Sequence, residues 1–406
     1  MRFILSKLGL GALRNDPAIR ALSWQTLISR VGNGLFMTIE VIYITLIVGL
    51  SPAEVSIALG VGGALSLLMS VPAGIVTDRL GAKRALFLAH ALEGLALLPL
   101  MFVRDFWSLL AVNIFVWTFG TIGHNASSTI TAKLGTGEER VSIRAAERAM
   151  ANMGIGLGTV FAGVALWVNT ALAYQITIGL DFVMFVWAAT FISRLPKVEP
   201  NHTKGEPLNL IAFKDWRFLG ATILNGIVSL HFVIQGVVLP LWILHFTTVP
   251  KWWVSVLFVI NTVLVTVLQI RFSRGTGDLL VSAKKFRLGT AYLLLSCLVY
   301  GWAAGLPLWI SATVLAVGMV VHTIGELYAA AGSWSIGFEL ALEKHMGQYQ
   351  GVYSLGWGFG GTFGPIFLTS LVLGLGEIGW GLTGLIFVAA GVTMHFLVKR
   401  HPVLKA

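Results

Sequence analysis

The chain has 406 residues, of which 56 % are hydrophobic and 11 % charged, less than half the charged share usual in soluble proteins. That balance excludes a set of soluble domains and places most of the molecular surface in lipid. The formal charge of +10 does not mark a nucleic-acid binder, because the basic residues stand in short clusters between apolar runs.

Residues 1–20 mix apolar side chains with Arg2, Lys7, Arg14 and Asp16, and no small-residue cleavage site follows. They are expected to form a cytoplasmic amphipathic segment on the inner membrane surface, and not a cleaved signal. A spanning helix needs about 20 mainly apolar residues. Runs of that kind fall at 21–48, 53–77, 85–103, 107–132, 146–168 and 171–193. After a polar interval they resume at 217–245, 252–273, 287–305, 308–337, 348–374 and 377–397. The reading is an all-α membrane protein with twelve transmembrane helices. A six-helix half at 21–193 is joined through a cytoplasmic linker at 194–216 to a second half at 217–398, with a tail at 399–406. The linker carries Pro196, Pro200, Gly205 and Pro207.

Charge sets the orientation. Of the 28 Lys and Arg, all but Arg30, Arg104 and Lys251 lie in the two tails or in connections after even-numbered runs, counting Arg144 and Arg148 at the foot of the fifth. Basic residues stay in the cytoplasm, so both termini are expected there. The lone Cys297 lies in an apolar run and reads as a packing residue. Several of the fourteen tryptophans sit near helix ends, where rings anchor in the headgroup layer.

Ionisable side chains in hydrocarbon are costly and mark function. Arg30, Glu40, Glu93, Asp181 and Glu326 fall well inside the runs, with His90, His124, His231 and His322. A buried acid that can take and release a proton suits proton coupling. Helical spacing groups Arg30, Asn33 and Glu40 on the first helix, and Asn113, Trp117 and His124 on the fourth. It also groups His231 with Gln235 on the seventh and His322 with Glu326 on the tenth. Glu326, Glu40, His322 and Arg30 are therefore the proton-coupling candidates, with Arg30 a potential partner of Glu326. Asn33, Asn113, Trp117, His124, His231, Gln235, Tyr353 and Trp357 are candidates to line a substrate cavity. Glu93 and Asp181, on plainer helices, read as packing or hydrogen-bonding residues. No phosphate-binding loop, nucleophile elbow or cysteine cluster is present, and His322 with Glu326 gives only two potential metal ligands. No enzyme activity, cofactor or metal is expected.

Between the second and third runs stands Gly74-Ile-Val-Thr-Asp-Arg-Leu-Gly-Ala-Lys-Arg84, in which Gly74 allows close approach and Gly81 a turn. This hairpin closely resembles the loop between helices two and three of the major facilitator superfamily of transporters. The resemblance implies that Asp78 engages the start of helix eleven near Gly347 and holds the cytoplasmic side closed, with Arg79, Lys83 and Arg84 supporting that gate. The stretch from Arg144 through Arg148 and Asn152 to Gly158 resembles helix five of bacterial drug-efflux members, as do Gly325-Glu326 and Gly347-Gln-Tyr-Gln-Gly351. Two features differ from drug–proton antiporters: no arginine lies between Phe106 and Ala132, and the fifth run has no proline.

The resemblance implies a multi-pass protein of the inner (plasma) membrane, a monomer whose partners are a small-molecule substrate, protons and membrane lipid, with no nucleic acid. The expected activity is export of drug-like or amphiphilic molecules in exchange for protons. A proton-coupled solute importer of the same fold and a non-transporting scaffold or receptor are the alternatives.

Overall fold

The computed structural model describes residues 16–196, 210–250 and 253–400. Most of the expected N-terminal segment, the centre of the linker, Lys251, Trp252 and most of the C-terminal tail lie outside these residues. The fold is all-helical, and among the described residues eleven helices are long and apolar enough to cross a membrane.

In the first half these are α1 (Pro17–Val48), α2 (Pro52–Leu80), α3 (Ala82–Phe102), α4 (Phe106–Leu134), α5 (Glu138–Val168) and α6 (Ala171–Ile192). The second half contains α7 (Trp216–Phe246), α8 (Trp253–Ser273), α9 (Leu279–Trp302), α10 (Leu308–Glu339), α11 (Met346–Leu375) and α12 (Glu377–Lys399). Helix α9 is the one not counted among the eleven. Lys284, Lys285 and Arg287 occupy its first turns, and polar residues dilute the rest.

Helices outrun the apolar windows because charged residues are good helix formers and caps decide where a helix starts. Asp16 accepts from the Ala18 amide and Pro17 opens α1, so residues 17–20 are helical. Asp278 accepts from the amides of Leu280 and Val281 and starts α9 well before the apolar run at 287. Helix α5 begins at Glu138 rather than near 146. Lysines close two other ends: Lys83 donates to the carbonyls of Ser193 (2.7 Å) and Leu195 after α6, and Lys285 to those of Phe272 (2.8 Å) and Arg274 after α8.

The chain forms two units, and each takes in a short segment from the other half of the sequence. Unit 1 comprises residues 1–135, 146–209 and 342–351; unit 2 comprises 136–145, 210–341 and 352–406. Within unit 1, α1 packs on α5 backbone to backbone. A Cβ at Gly158 would stand 2.1 Å from the Val31 carbonyl oxygen, and one at Gly34 2.3 Å from that of Ile155. The hydrophobic core of unit 1 gathers Leu35, Ile39, Tyr43, Leu97, Leu109, Tyr174, Ile178 and Phe185. Within unit 2, α7 meets α11 at Gly226 and Gly356, and α9 meets α10 at Gly289 and Gly325. Small residues at these crossings replace a hydrophobic driving force, which lipid does not supply, with close van der Waals contact.

Two helices depart from α geometry over a single wide turn with i→i+5 bonding, α1 at Tyr43–Val48 and α7 at Ile234–Val238. Such turns change the direction in which neighbouring side chains point and are frequent at functional sites.

Candidate functional site

In unit 2 the sequence neighbours His322 and Glu326 lie one turn apart on α10, and both are buried, as is His231 on α7. The wide turn of α7 carries Gln235, whose Nε2 donates to Glu326 Oε2 at 3.1 Å. Asn261 of α8 donates to the same oxygen at 2.8 Å. Its Nδ2 also lies 3.0 Å from Thr323 Oγ1, and that hydroxyl donates to the Met319 carbonyl. Three helices therefore converge on one carboxylate, which is 1 % exposed.

The imidazoles stand beside it. The rings of His231 and His322 meet edge to face with centroids 5.4 Å apart. Ser296 Oγ of α9 lies 3.4 Å from His322 Nδ1. The serine hydroxyl already donates to the Leu293 carbonyl at 2.8 Å, so its oxygen is left to accept from Nδ1–H. That tautomer leaves the lone pair on Nε2, which is buried without a hydrogen-bond partner among the described residues. One donor atom each from His231, His322 and Glu326 lies within 4.8 Å of the other two.

In unit 1 the second constellation joins the hairpin to the start of α11. Asp78 Oδ1 accepts from the Gly347 amide at 3.0 Å and Oδ2 from the Gln348 amide at 2.9 Å. A carboxylate at a helix N-terminus satisfies amides that have no partner within the helix and meets the positive end of its dipole. Gly74 and Gly351 make the approach possible. A Cβ on Gly74 would stand 2.3 Å from the Gly347 oxygen, and one on Gly351 2.5 Å from the Ser70 oxygen. Gly81 takes φ +80 between α2 and α3. Arg79 and Arg84 are exposed, and Lys83 is turned to the end of α6.

A family model described as Major Facilitator Superfamily matches residues 22–365. The chain belongs to the major facilitator superfamily. Over 350 residues this facilitator is 22 % identical to the uncharacterized MFS-type transporter YhjO of Bacillus subtilis (strain 168), covering 84 % of this chain and 83 % of that one. Among solved structures it resembles a bacterial homologue of the iron transporter ferroportin in an outward-facing state, at TM-score 0.72 and 17 % identity. That match covers 94 % of this chain and 98 % of the other. The human organic anion transporter MFSD10 (TETRAN) matches at TM-score 0.67 and 14 % identity, over 94 % of this chain and 99 % of that one. The proton:xylose symporter XylE matches at 0.69 and 12 %, over 93 % and 94 %. At these identities the solved structures establish the fold alone.

The remaining candidate residues of the facilitator are divided between the two units. Arg30 donates to Asn33 Oδ1 at 2.9 Å. Glu40 is half-buried on α1. Asn113 is buried with its Nδ2 unpartnered among the described residues, His124 is exposed, and Trp117 packs its ring on Gly62 of α2. Tyr353 is held by hydrogen bonding, its hydroxyl 3.0 Å from Ser333 Oγ and donating to the Ser333 carbonyl, while Ser333 donates to Asn225 at 2.6 Å. The Trp357 ring lies tilted against that of Phe232 with centroids 5.0 Å apart, and Phe232 follows His231 in the chain.

Several polar residues were not singled out from the sequence. Asn261 stands in an apolar run, and nothing in its spacing ties it to Glu326. Asp181, by contrast, was named in the sequence as a packing or hydrogen-bonding residue; it is fully buried against Gly32, with neither carboxylate oxygen hydrogen-bonded among the described residues. Glu147 accepts from Ser127 and Thr131 at 2.7 Å each. The four-residue spacing of that pair on α4 was a legible signal.

Proposed function

We propose that this facilitator is a secondary transporter of the inner (plasma) membrane, crossing it twelve times with both termini in the cytoplasm, and that it exports drug-like or amphiphilic molecules in exchange for protons. The observation that carries the reading is the buried Glu326 carboxylate, held by carboxamides from two other helices beside two imidazoles. Buried ionisable groups of this kind inside membrane helices are expensive and serve transport pathways.

The chemistry follows from donors and acceptors. An ionised carboxylate only accepts, and Gln235 and Asn261 supply donors to it. Once protonated it carries a donor as well and loses the charge that strengthens the bonds from Gln235 and Asn261 to Oε2. Proton transfer thus reorders the bonds that tie α7, α8 and α10 together. A substrate that is bound or released with that reordering is coupled to the proton, as alternating access requires. Asp78 at the first turn of α11 acts in this scheme as a latch on the cytoplasmic side.

The test is Glu326→Gln in proteoliposomes with an imposed pH gradient and a fluorescent amphiphile. The expected result is loss of gradient-driven movement with the protein folded; full activity rejects the role. Right-side-out against inverted vesicles distinguishes export from import, and an absence of any substrate-dependent proton flux identifies a non-transporting protein.

A further inference from the structure

We propose that His231, His322 and Glu326 form a binding site for a divalent transition-metal ion of the zinc, cobalt and nickel class, and that such an ion occupies the centre in place of a proton. The inference rests on the reading of this cluster as the cation-coupling centre and names a second cation for it.

The donor set selects the ion. Two imidazole nitrogens and one carboxylate oxygen suit zinc-class metals, whereas magnesium and calcium prefer oxygen ligands. The geometry is nearly assembled, because one donor atom from each residue lies within 4.8 Å of the others. Ligand bonds of about 2.0–2.2 Å in a tetrahedral site put donor atoms ~3.4 Å apart. Contraction by up to about 1.4 Å, through side-chain rotation in all three residues, closes the site and leaves a fourth position for water or substrate.

Two further observations point to a ligand. His322 is fully buried, yet its Nε2 has no partner among the described residues, an arrangement that is costly for a polar group. Ser296 already fixes the tautomer that frees this lone pair, the same role outer-shell acceptors play for metal-binding histidines. Gln235 and Asn261 then serve as outer-shell donors that orient the carboxylate. No such partner set is needed for a histidine that merely packs.

Because the same donor atoms serve both cations, a bound metal ion excludes the proton and arrests proton-driven transport. The full-length protein, purified in nanodiscs, is titrated with cobalt(II), whose four-coordinate complexes absorb visible light far more strongly than the aqua ion. The expected result is one equivalent bound with the intense spectrum, displaced by zinc. His231→Gln, His322→Gln and Glu326→Gln should each weaken binding at least about tenfold, and Ser296→Ala by about 10–100-fold through loss of orientation. Thermal melting confirms that each variant is folded. A variant that fails to fold is replaced by zinc-dependent stabilisation of the wild type, which the proposal requires. Absence of the spectrum, or a spectrum unchanged in all the folded variants, overturns the proposal. Proton-driven transport is measured separately without added metal. Transport without cobalt binding defeats the metal site alone, and cobalt binding without proton-driven transport defeats the exporter reading alone.

Discussion

The Asp78 carboxylate straddles the first turn of α11, with one oxygen on the Gly347 amide and the other on the Gln348 amide. Both bonds are charge-assisted, each worth about 1.5–3 kcal/mol. Asp78→Asn keeps the size and removes the charge. Its expected effect is a fall in transport rate of about tenfold for each 1.4 kcal/mol lost from the state that limits cycling, with substrate affinity retained. Rate and affinity measured together in proteoliposomes check this; a loss of affinity alone counts against the latch.

Gly74→Ala should be harsher than Asp78→Asn. The added methyl would stand 2.3 Å from the Gly347 carbonyl oxygen, and backbone cannot rotate away as a side chain can. Transport and thermal stability should both fall, the latter by an overpacking cost of about 1–3 kcal/mol. Melting in detergent, compared with Gly60→Ala where nothing lies within 4 Å, isolates the contact.

Arg140 and Glu339 form an ion pair at 3.4 Å, with the Glu339 side chain 29 % exposed. Partly solvated pairs contribute little, about 0–1 kcal/mol, and salt screens them. Arg140→Gln should therefore lower stability only slightly, and the difference from wild type should shrink as ionic strength rises. A large effect independent of salt would assign Arg140 a role other than the pair.

The start of α2 should respond to acid. Ser51 caps it, and Glu54, which precedes the membrane span beginning at Ile57, accepts from the Ser51 amide (2.8 Å) and hydroxyl (2.7 Å). These bonds hold the Glu54 carboxyl below its ordinary value. A depressed carboxyl stabilises the fold above its unfolded pKa, and that contribution is lost as pH falls through the folded value. Amide exchange in the first turn of α2 should accelerate over that acidic range in wild type, and Glu54→Gln should flatten the dependence.

The architecture was legible because a helix in lipid must be both long and apolar, and a sequence displays both properties directly. The hairpin was legible for a different reason: its glycines report a close approach and a turn, the contact of Asp78 with the start of α11 was implied by the family resemblance, and the turn of Lys83 to the end of α6 was not read at all. The convergence on Glu326 was readable only along each helix. Spacing linked His322 to Glu326 and His231 to Gln235, but interhelical rotation decided that these two pairs meet and that Asn261 joins them. Periodicity assigns a residue to a face, whereas the neighbour of that face depends on glycine crossings such as Gly226 with Gly356. Helix ends were placed least well, since α5 starts on Glu138 and α9 is capped by Asp278 and carries Lys284 and Lys285 early, charged residues that a search for apolar runs discards.

The wide turn at Ile234–Val238 holds one residue more than an ordinary helical turn would. Each residue in a regular helix contributes about 100° of rotation, so relaxing that bulge would swing the part of α7 before it by a comparable angle relative to the part after it. Gln235 and His231 would then sweep past α10 instead of facing it. Winding or unwinding of that one residue would therefore turn the first part of α7, with His231, against α10 while the rest of the helix stays in place.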